Sequence, residues 1–189
     1  MWMLEYAAAA FGLACVALTV RQSVLCWPTG LIMVSLYLVV FYQARLYSDM
    51  LLQGVYIVLQ IYGWYAWLYG GADRSALSVT RASSRELLAW CVVCLVGTAA
   101  LGGTMRALTD ASLPFVDAFT TSASLVAQWL LGRKRLESWL FWIVVDVASI
   151  GVYLAKGLYP TTGLYTIFLC LAVWGFVEWK RALPAAEPA

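Results

Sequence analysis

Long apolar runs alternate with short polar breaks along the chain, and these breaks divide it into seven segments. A helix of about 20 apolar residues crosses a hydrocarbon core of about 30 Å. The segments cover residues 2–20, 24–43, 50–69, 87–105, 114–132, 138–155 and 160–178. The pattern predicts an all-α integral membrane protein with seven transmembrane helices, whose surroundings are the lipid bilayer.

Composition agrees with this interpretation, since 63% of the 189 residues are hydrophobic and only 12% are charged. The net charge of +2 gives no support for nucleic-acid binding. The chain has no histidine, which is the commonest general base and metal ligand. We therefore expect neither an enzyme nor a metal or cofactor site.

Basic residues are distributed unequally between the two sides of the predicted membrane. One side receives the N-terminus with Arg45, Arg106 and Lys156. The other side receives Arg21, Arg74, Arg81, Arg85, Arg133, Lys134, Arg135, Lys180 and Arg181. Because basic loops stay in the cytoplasm, the N-terminus is predicted outside and the C-terminus inside.

An internal repeat appears when the sequence is shifted on itself by 112 residues. The shift aligns Arg21 with Arg133, Trp27 with Trp139, Tyr47 with Tyr159, Gly63 with Gly175, and Trp67 with Trp179. It predicts a first three-helix repeat at 1–69, a linker with helix 4 at 70–113, and a second repeat at 114–181. The tail ALPAAEPA at 182–189 is predicted to be disordered. A single spanning linker gives both repeats the same direction, and this 3+1+3 parallel arrangement is typical of transporters.

The sixth segment carries one stripe of polar and aromatic side chains. Its members, which share a face about 80° wide on a helix, are Trp139, Trp142, Asp146, Ser149 and Tyr153. An acid inside an apolar helix is costly and is usually functional, and aromatic rings around it suit a flat organic cation. Asp146 could instead make a structural hydrogen bond between helices.

The third segment carries a second stripe, with Gln53, Tyr56 and Gln60 followed by Trp64 and Trp67. We predict that its amides bind the polar edge of the ligand, although glutamines also bond between helices. In the repeat, Asp146 and Trp142 align with Val34 and Gly30, so the acid belongs to one half only. Trp139 aligns with Trp27, so it belongs either to the site or to a shared scaffold.

Other features have simpler interpretations. Trp67, Trp174 and Trp179 lie at helix ends and are predicted to belong to the aromatic belts of the membrane. The segment from Gly70 to Glu86 is predicted to be a solvated linker. Cys91 and Cys94 form a CxxC pair, which leaves a membrane thiol oxidoreductase as a distant alternative function. A non-transporting sensor or assembly protein is a second alternative.

The run from Trp27 to Trp67, with ARLYSDMLLQ followed by IYGWYAW, resembles the PnuC family of bacterial vitamin transporters, as does ESWLFW after the basic RKR. The resemblance implies a fold related to SWEET sugar transporters, a homotrimer in the bacterial inner membrane, and uptake of nicotinamide riboside. It also implies facilitated diffusion, with trapping by a cytoplasmic kinase that makes no stable contact with the transporter.

Relatives in this family carry thiamine or riboflavin, so the substrate depends on details of the site. Nicotinamide riboside carriers have asparagine near Met33 and at the Ser138 and Asp146 positions, whereas this chain has no asparagine. An acid at position 146 adds direct charge pairing, which also suits the thiazolium ring of thiamine. Nicotinamide riboside remains the first prediction, thiamine the alternative, and riboflavin the third choice.

Overall fold

The computed structural model describes residues 2–45, 47–109 and 113–183, and this part of the chain is helical without a β-strand. Seven α-helices follow one another: α1 (Trp2–Val20), α2 (Cys26–Gln43), α3 (Tyr47–Tyr69), α4 (Ser84–Leu108), α5 (Pro114–Gly132), α6 (Ser138–Ala155) and α7 (Tyr159–Arg181). The predicted all-α fold with seven helices is confirmed. The predicted disordered tail lies, from residue 184 onward, outside the described residues.

Helix α4 is longer than its apolar run, because a polar cap extends it. The Ser83 hydroxyl accepts a hydrogen bond from the Glu86 amide at 3.1 Å, which satisfies one of the free N–H groups of the first turn. The helix therefore begins three residues before the predicted segment, at Ser84.

Among the described residues, five helices are long and apolar enough to cross a membrane, namely α1, α2, α4, α6 and α7. Helices α3 and α5 fall outside this group because polar side chains interrupt them, including Gln53, Gln60, Asp117 and Gln128. Polar groups in a membrane helix face protein or a water-filled cavity rather than lipid. These two helices are therefore the ones whose composition points to polar partners.

The chain divides into two compact units, and the first comprises Met1–Ser78 with Gly132–Lys134. Within it, α2 packs against both α1 and α3. The Trp27 ring lies on Gly63 of α3 and meets Trp67 edge-on, with ring centroids 5.3 Å apart and planes at 86°. Both indoles are fully buried, so this Trp–Gly–Trp contact is the centre of the unit.

The second unit comprises Val79–Leu131 with Arg135–Ala189. Its α6 and α7 repeat the same contact: Trp139 lies on Gly175 and meets Trp179 edge-on at 5.4 Å and 89°. A further apolar cluster joins α4, α5 and α6 and consists of Cys94, Ala123, Val126, Leu130 and Val145. Residues paired by the 112-residue shift thus make equivalent contacts inside each unit, while the predicted bounds of the repeats stay a prediction.

The membrane-belt interpretation is wrong for Trp67 and Trp179. Both side chains are fully buried, whereas Trp174 is 43% exposed. The reason is the glycine four residues before each of them, which brings the partner indole of Trp27 or Trp139 close enough to cover the ring. Position near a helix end therefore did not decide the environment of these two side chains.

The linker after α3 is more ordered than its composition predicted. In the first unit the Leu77 amide donates to the Trp67 carbonyl at 3.1 Å. The Lys134 ammonium donates to the Leu77 carbonyl at 2.7 Å and lies 4.4 Å from the centroid of the Trp67 ring. Burial lowers the pKa of Lys134. A loop cation thus holds the end of α3 to the segment that follows it.

In the second unit the remainder of the linker is held by the residues before α6. Arg135 forms an ion pair with Glu86 at 3.1 Å and donates to the Thr80 hydroxyl at 2.9 Å. The Glu137 carboxylate accepts a hydrogen bond from the Ala82 amide at 2.7 Å. Val79 is buried and Thr80 and Ala82 are half-buried, so the prediction of a solvated linker is wrong at these residues. It holds for the side chains of Ser78, Arg81, Ser83, Ser84 and Arg85, which are exposed.

Replacing Lys134 with methionine is expected to lower the stability of the purified protein by about 1 to 3 kcal/mol, because the Leu77 carbonyl loses a charged donor. Thermal unfolding followed by tryptophan fluorescence measures the change. Lys180→Met removes an exposed charge of the same kind and serves as the control. Equal unfolding temperatures for the two variants would show that the Lys134 contacts contribute nothing.

Candidate functional site

The polar stripe of α6 faces the interior of its unit. Asp146 and Ser149 are buried, with 5% and 7% exposure, and Trp142 and Tyr153 are half-buried. Val144 and Val147, on the other side of the helix, are exposed. The helix therefore presents an apolar outer face and a polar inner one, which is the arrangement that a membrane environment favours.

The Asp146 carboxylate has no protein partner in the described part of the chain. None of those residues donates a hydrogen bond to it or forms an ion pair with it. A buried, unpaired carboxylate is costly, and a cation close to it would offset that cost. A buried acid without a protein partner suits the counter-ion of a bound cation.

The two tryptophans of α6 have different environments, although they are one turn apart. Trp139 is 2% exposed, because Gly175 and Trp179 enclose its ring. Trp142 packs one side against the α4–α5–α6 cluster and leaves part of its surface uncovered. Trp142 therefore keeps a surface on which a flat ring can stack, whereas the ring of Trp139 is enclosed by its neighbours.

The far end of the α6 stripe is aromatic. The Tyr153 ring lies 5.1 Å from that of Tyr165 on α7, and Tyr165 contacts Phe168 edge-on at 6.0 Å. These rings place apolar surface and a phenol hydroxyl two turns beyond Asp146. Tyr153 thus lies on the same face of α6 as Asp146, and its ring also packs against Tyr165 of α7.

Helix α3 presents its predicted stripe to the interior of the first unit. Gln60 is buried, and Gln53 and Tyr56 are half-buried, whereas Val58 and Ile61 are exposed on the opposite side. No described residue makes a hydrogen bond to the Gln53 or Gln60 amide. The structure therefore collects two amides and a phenol on one face of α3, and the acid, serine and aromatic groups on one face of α6.

Helix α5 carries a smaller group of polar residues, which consists of Ser122, Ser124 and Gln128. Gln128 is buried, and its amide makes no hydrogen bond within the described ranges. The nearby Ser122 lies against Gly97 of α4, and Ser124 donates to the Thr121 carbonyl at 2.9 Å. These serines therefore have packing roles, while Gln128 is a further candidate.

The cysteine pair on α4 does not form an accessible dithiol. Cys91 is exposed on the outer face of the helix, whereas Cys94 is packed in the apolar cluster. Both cysteines are free thiols. A redox pair needs two thiols that a reactant can approach, and Cys94 is covered by the apolar cluster, so this geometry gives the oxidoreductase alternative no support.

Comparison with known proteins agrees with these features. A family model described as nicotinamide mononucleotide transporter matches residues 2–181. The nicotinamide riboside transporter PnuC of Escherichia coli K12 is 30% identical over 193 residues, which cover 89% of this chain and 81% of that protein. The PnuC of Neisseria mucosa is 29% identical over 192 residues, covering 95% and 72%.

A further relative and a solved structure extend the comparison. The riboflavin/roseoflavin transporter RibM of Streptomyces davaonensis is 30% identical over 172 residues, covering 89% of this chain and 80% of RibM. The crystal structure of the vitamin B3 transporter PnuC is similar with a TM-score of 0.76 and 28% identity, covering 95% of this chain and 81% of that one. The chain belongs to the PnuC family of nicotinamide mononucleotide transporters, and it is a multi-pass bacterial membrane transporter rather than an enzyme.

Proposed function

We propose that this transporter takes up nicotinamide riboside by facilitated diffusion. The observation that carries the proposal is the buried Asp146 carboxylate, which has no partner among the described residues and lies one turn from the half-buried Trp142. Nicotinamide riboside contains a flat pyridinium ring. An acid next to an indole surface matches both the charge and the shape of that ring.

The polar stripes of α6 and α3 have different roles in binding the vitamin. On α6, Trp142 stacks on the ring, Asp146 balances its charge, and Ser149 supplies a hydroxyl close to the acid. On α3, Gln53 and Gln60 supply donors and acceptors for the carboxamide and the ribose, with Tyr56 on the same face. Because a buried polar group without a partner is costly, ligand hydrogen bonds to these amides would be favourable.

Thiamine is the second candidate, and Asp146 is also the observation that favours it. Thiamine carries a thiazolium cation, and an acid binds such a cation more strongly than an amide does. Riboflavin is a weaker candidate because its ring is uncharged and gains nothing from Asp146. A binding titration of the three vitamins against the purified protein separates these possibilities. Tightest binding of riboflavin would contradict the proposed charge recognition.

We further propose that the chain works as a homotrimer in the inner membrane, with the N-terminus outside and the C-terminus in the cytoplasm. Nine of the 12 basic residues belong to the side assigned to the cytoplasm, which supports this orientation. A cytoplasmic kinase would phosphorylate the riboside after entry. The added negative charge prevents the product from leaving, so diffusion and trapping together accumulate the vitamin.

Purified protein in liposomes is expected to equilibrate labelled nicotinamide riboside when sodium and proton concentrations are equal on both sides. The final concentrations inside and outside should match, because facilitated diffusion only relaxes a gradient. Enclosing a riboside kinase with ATP should raise the trapped label above this level, while the kinase without ATP should not. Protein-free liposomes give the background. Uptake that requires a sodium or proton gradient would contradict the diffusion mechanism.

A further inference from the structure

The amide of Gln60 rests directly on Gly30 of α2. A Cβ atom built at position 30 would lie 2.8 Å from Gln60 Cδ and 3.0 Å from Gln60 Oε1, and closer still to Nε2. Side-chain carbon atoms do not approach other atoms this closely without displacing them. Any residue larger than glycine at position 30 must therefore move the amide.

The Gln60 amide is held by packing rather than by hydrogen bonds to the described residues. Gln60 is 5% exposed, and no described residue makes a hydrogen bond to its side chain. An amide that is held by several hydrogen bonds tolerates a small displacement of one neighbour, because the other bonds retain its orientation. The Gln60 amide lacks such bonds within the described chain, so the space left by Gly30 sets its position.

The second unit carries the opposite residue sizes at the two positions that the repeat pairs with Gly30 and Gln60. The 112-residue shift pairs Gly30 with Trp142 and Gln60 with Ala172. One unit thus combines a small residue on α2 with a large polar one on α3. The other combines a large aromatic residue on α6 with the buried Ala172 on α7. In the repeat, the exchange of sizes thus accompanies the exchange of an amide for an aromatic ring.

We propose that Gly30 is a specificity-determining residue, which acts by positioning the Gln60 amide for hydrogen bonding to the ligand. This inference rests on the proposed function, in which the Gln60 amide forms hydrogen bonds with the polar groups of the vitamin. Gly30 has no side chain with which to contact the ligand, and the three atoms nearest to a Cβ at this position all belong to Gln60. A change at position 30 must then alter ligand selection in the same way as the removal of the amide.

The test measures dissociation constants of nicotinamide riboside and thiamine for four proteins: the wild type, Gly30→Ala, Gln60→Ala and the double variant. Gln60→Ala is expected to change the ratio of the two constants by at least fivefold, and Gly30→Ala should change it in the same direction by a similar factor. In the Gln60→Ala background, Gly30→Ala should change either constant by less than twofold. Gly151→Ala, at a position where a Cβ meets no atom within 4 Å, is the control.

A purely structural role for Gly30 would give a different result. Gly30→Ala would then weaken the binding of both vitamins by the same factor, leave the ratio of their dissociation constants unchanged, and have the same effect in the Gln60→Ala background. Each of these outcomes would overturn the inference. If Gly30→Ala does not fold, the double variant should fold and bind as Gln60→Ala does, because the smaller side chain removes the clash. Failure of the double variant to fold would also overturn it. If the wild type does not bind nicotinamide riboside, the proposed function itself is rejected.

Discussion

Replacement of Asp146 with asparagine is expected to weaken the binding of nicotinamide riboside by about 1 to 3 kcal/mol, which is about a 5- to 150-fold rise in the dissociation constant. Asparagine has nearly the same shape but no charge. The buried position of Asp146 on α6 keeps water from screening the attraction between carboxylate and pyridinium. Isothermal titration of the purified variant measures the loss.

The control ligand is the reduced, uncharged dihydropyridine form of the same riboside, for which Asp146→Asn should cost much less. The control variant is Asp117→Asn, which removes an acid near the start of α5 and should leave both affinities unchanged. If Asp146→Asn reduces the binding free energy of the charged and uncharged ligands equally, Asp146 has a structural role and does not distinguish ligands by charge. Thiamine should respond in the same way as nicotinamide riboside, since it also carries a ring cation.

The helices and their inner faces were predictable because a membrane imposes a simple rule on sequence. Each span must be apolar along its length, and a polar side chain within a span must face protein or water. The stripe containing Asp146 and Ser149 on α6, and the one containing Gln53 and Gln60 on α3, follow from helical spacing alone. The structure places all four side chains on the inner face of their unit or half-buried along it.

Contacts between helices were harder to predict, because they depend on which small residue lies opposite a large one. Trp67 has the spacing of an interfacial residue, and only its position against Trp27 and Gly63 shows that it is buried. Gly30 has no chemical feature in the sequence, and its effect on Gln60 appears only when α2 and α3 are packed together. The same holds for Lys134, whose partner is a backbone carbonyl 57 residues away.

Gly63→Ala and Gly175→Ala are expected to give the largest losses of stability in the chain. A Cβ at Gly175 would lie 2.5 to 2.6 Å from three atoms of the Trp139 ring, and one at Gly63 would fall on the ring of Trp27. An indole fixed on its other sides by Trp179 or Trp67 cannot move away, so the helices must separate. Overpacking of this kind costs about 1 to 3 kcal/mol or more. Thermal unfolding and the yield of monodisperse protein measure the effect.

Matched controls lie on the same helices: Gly163→Ala on α7 and Gly54→Ala on α3, where a new Cβ meets no atom within 4 Å. Alanine favours helix over glycine by up to about 1 kcal/mol, so these variants should be as stable as the wild type or slightly more stable. A Gly175→Ala protein as stable as Gly163→Ala would mean that the Trp139 ring is free to leave α7. Trp139 would then be available for a ligand, and stacking on it rather than on Trp142 alone would have to be tested. A selective loss at Gly175 assigns Trp139 to the scaffold, which leaves Trp142 as the aromatic surface beside Asp146.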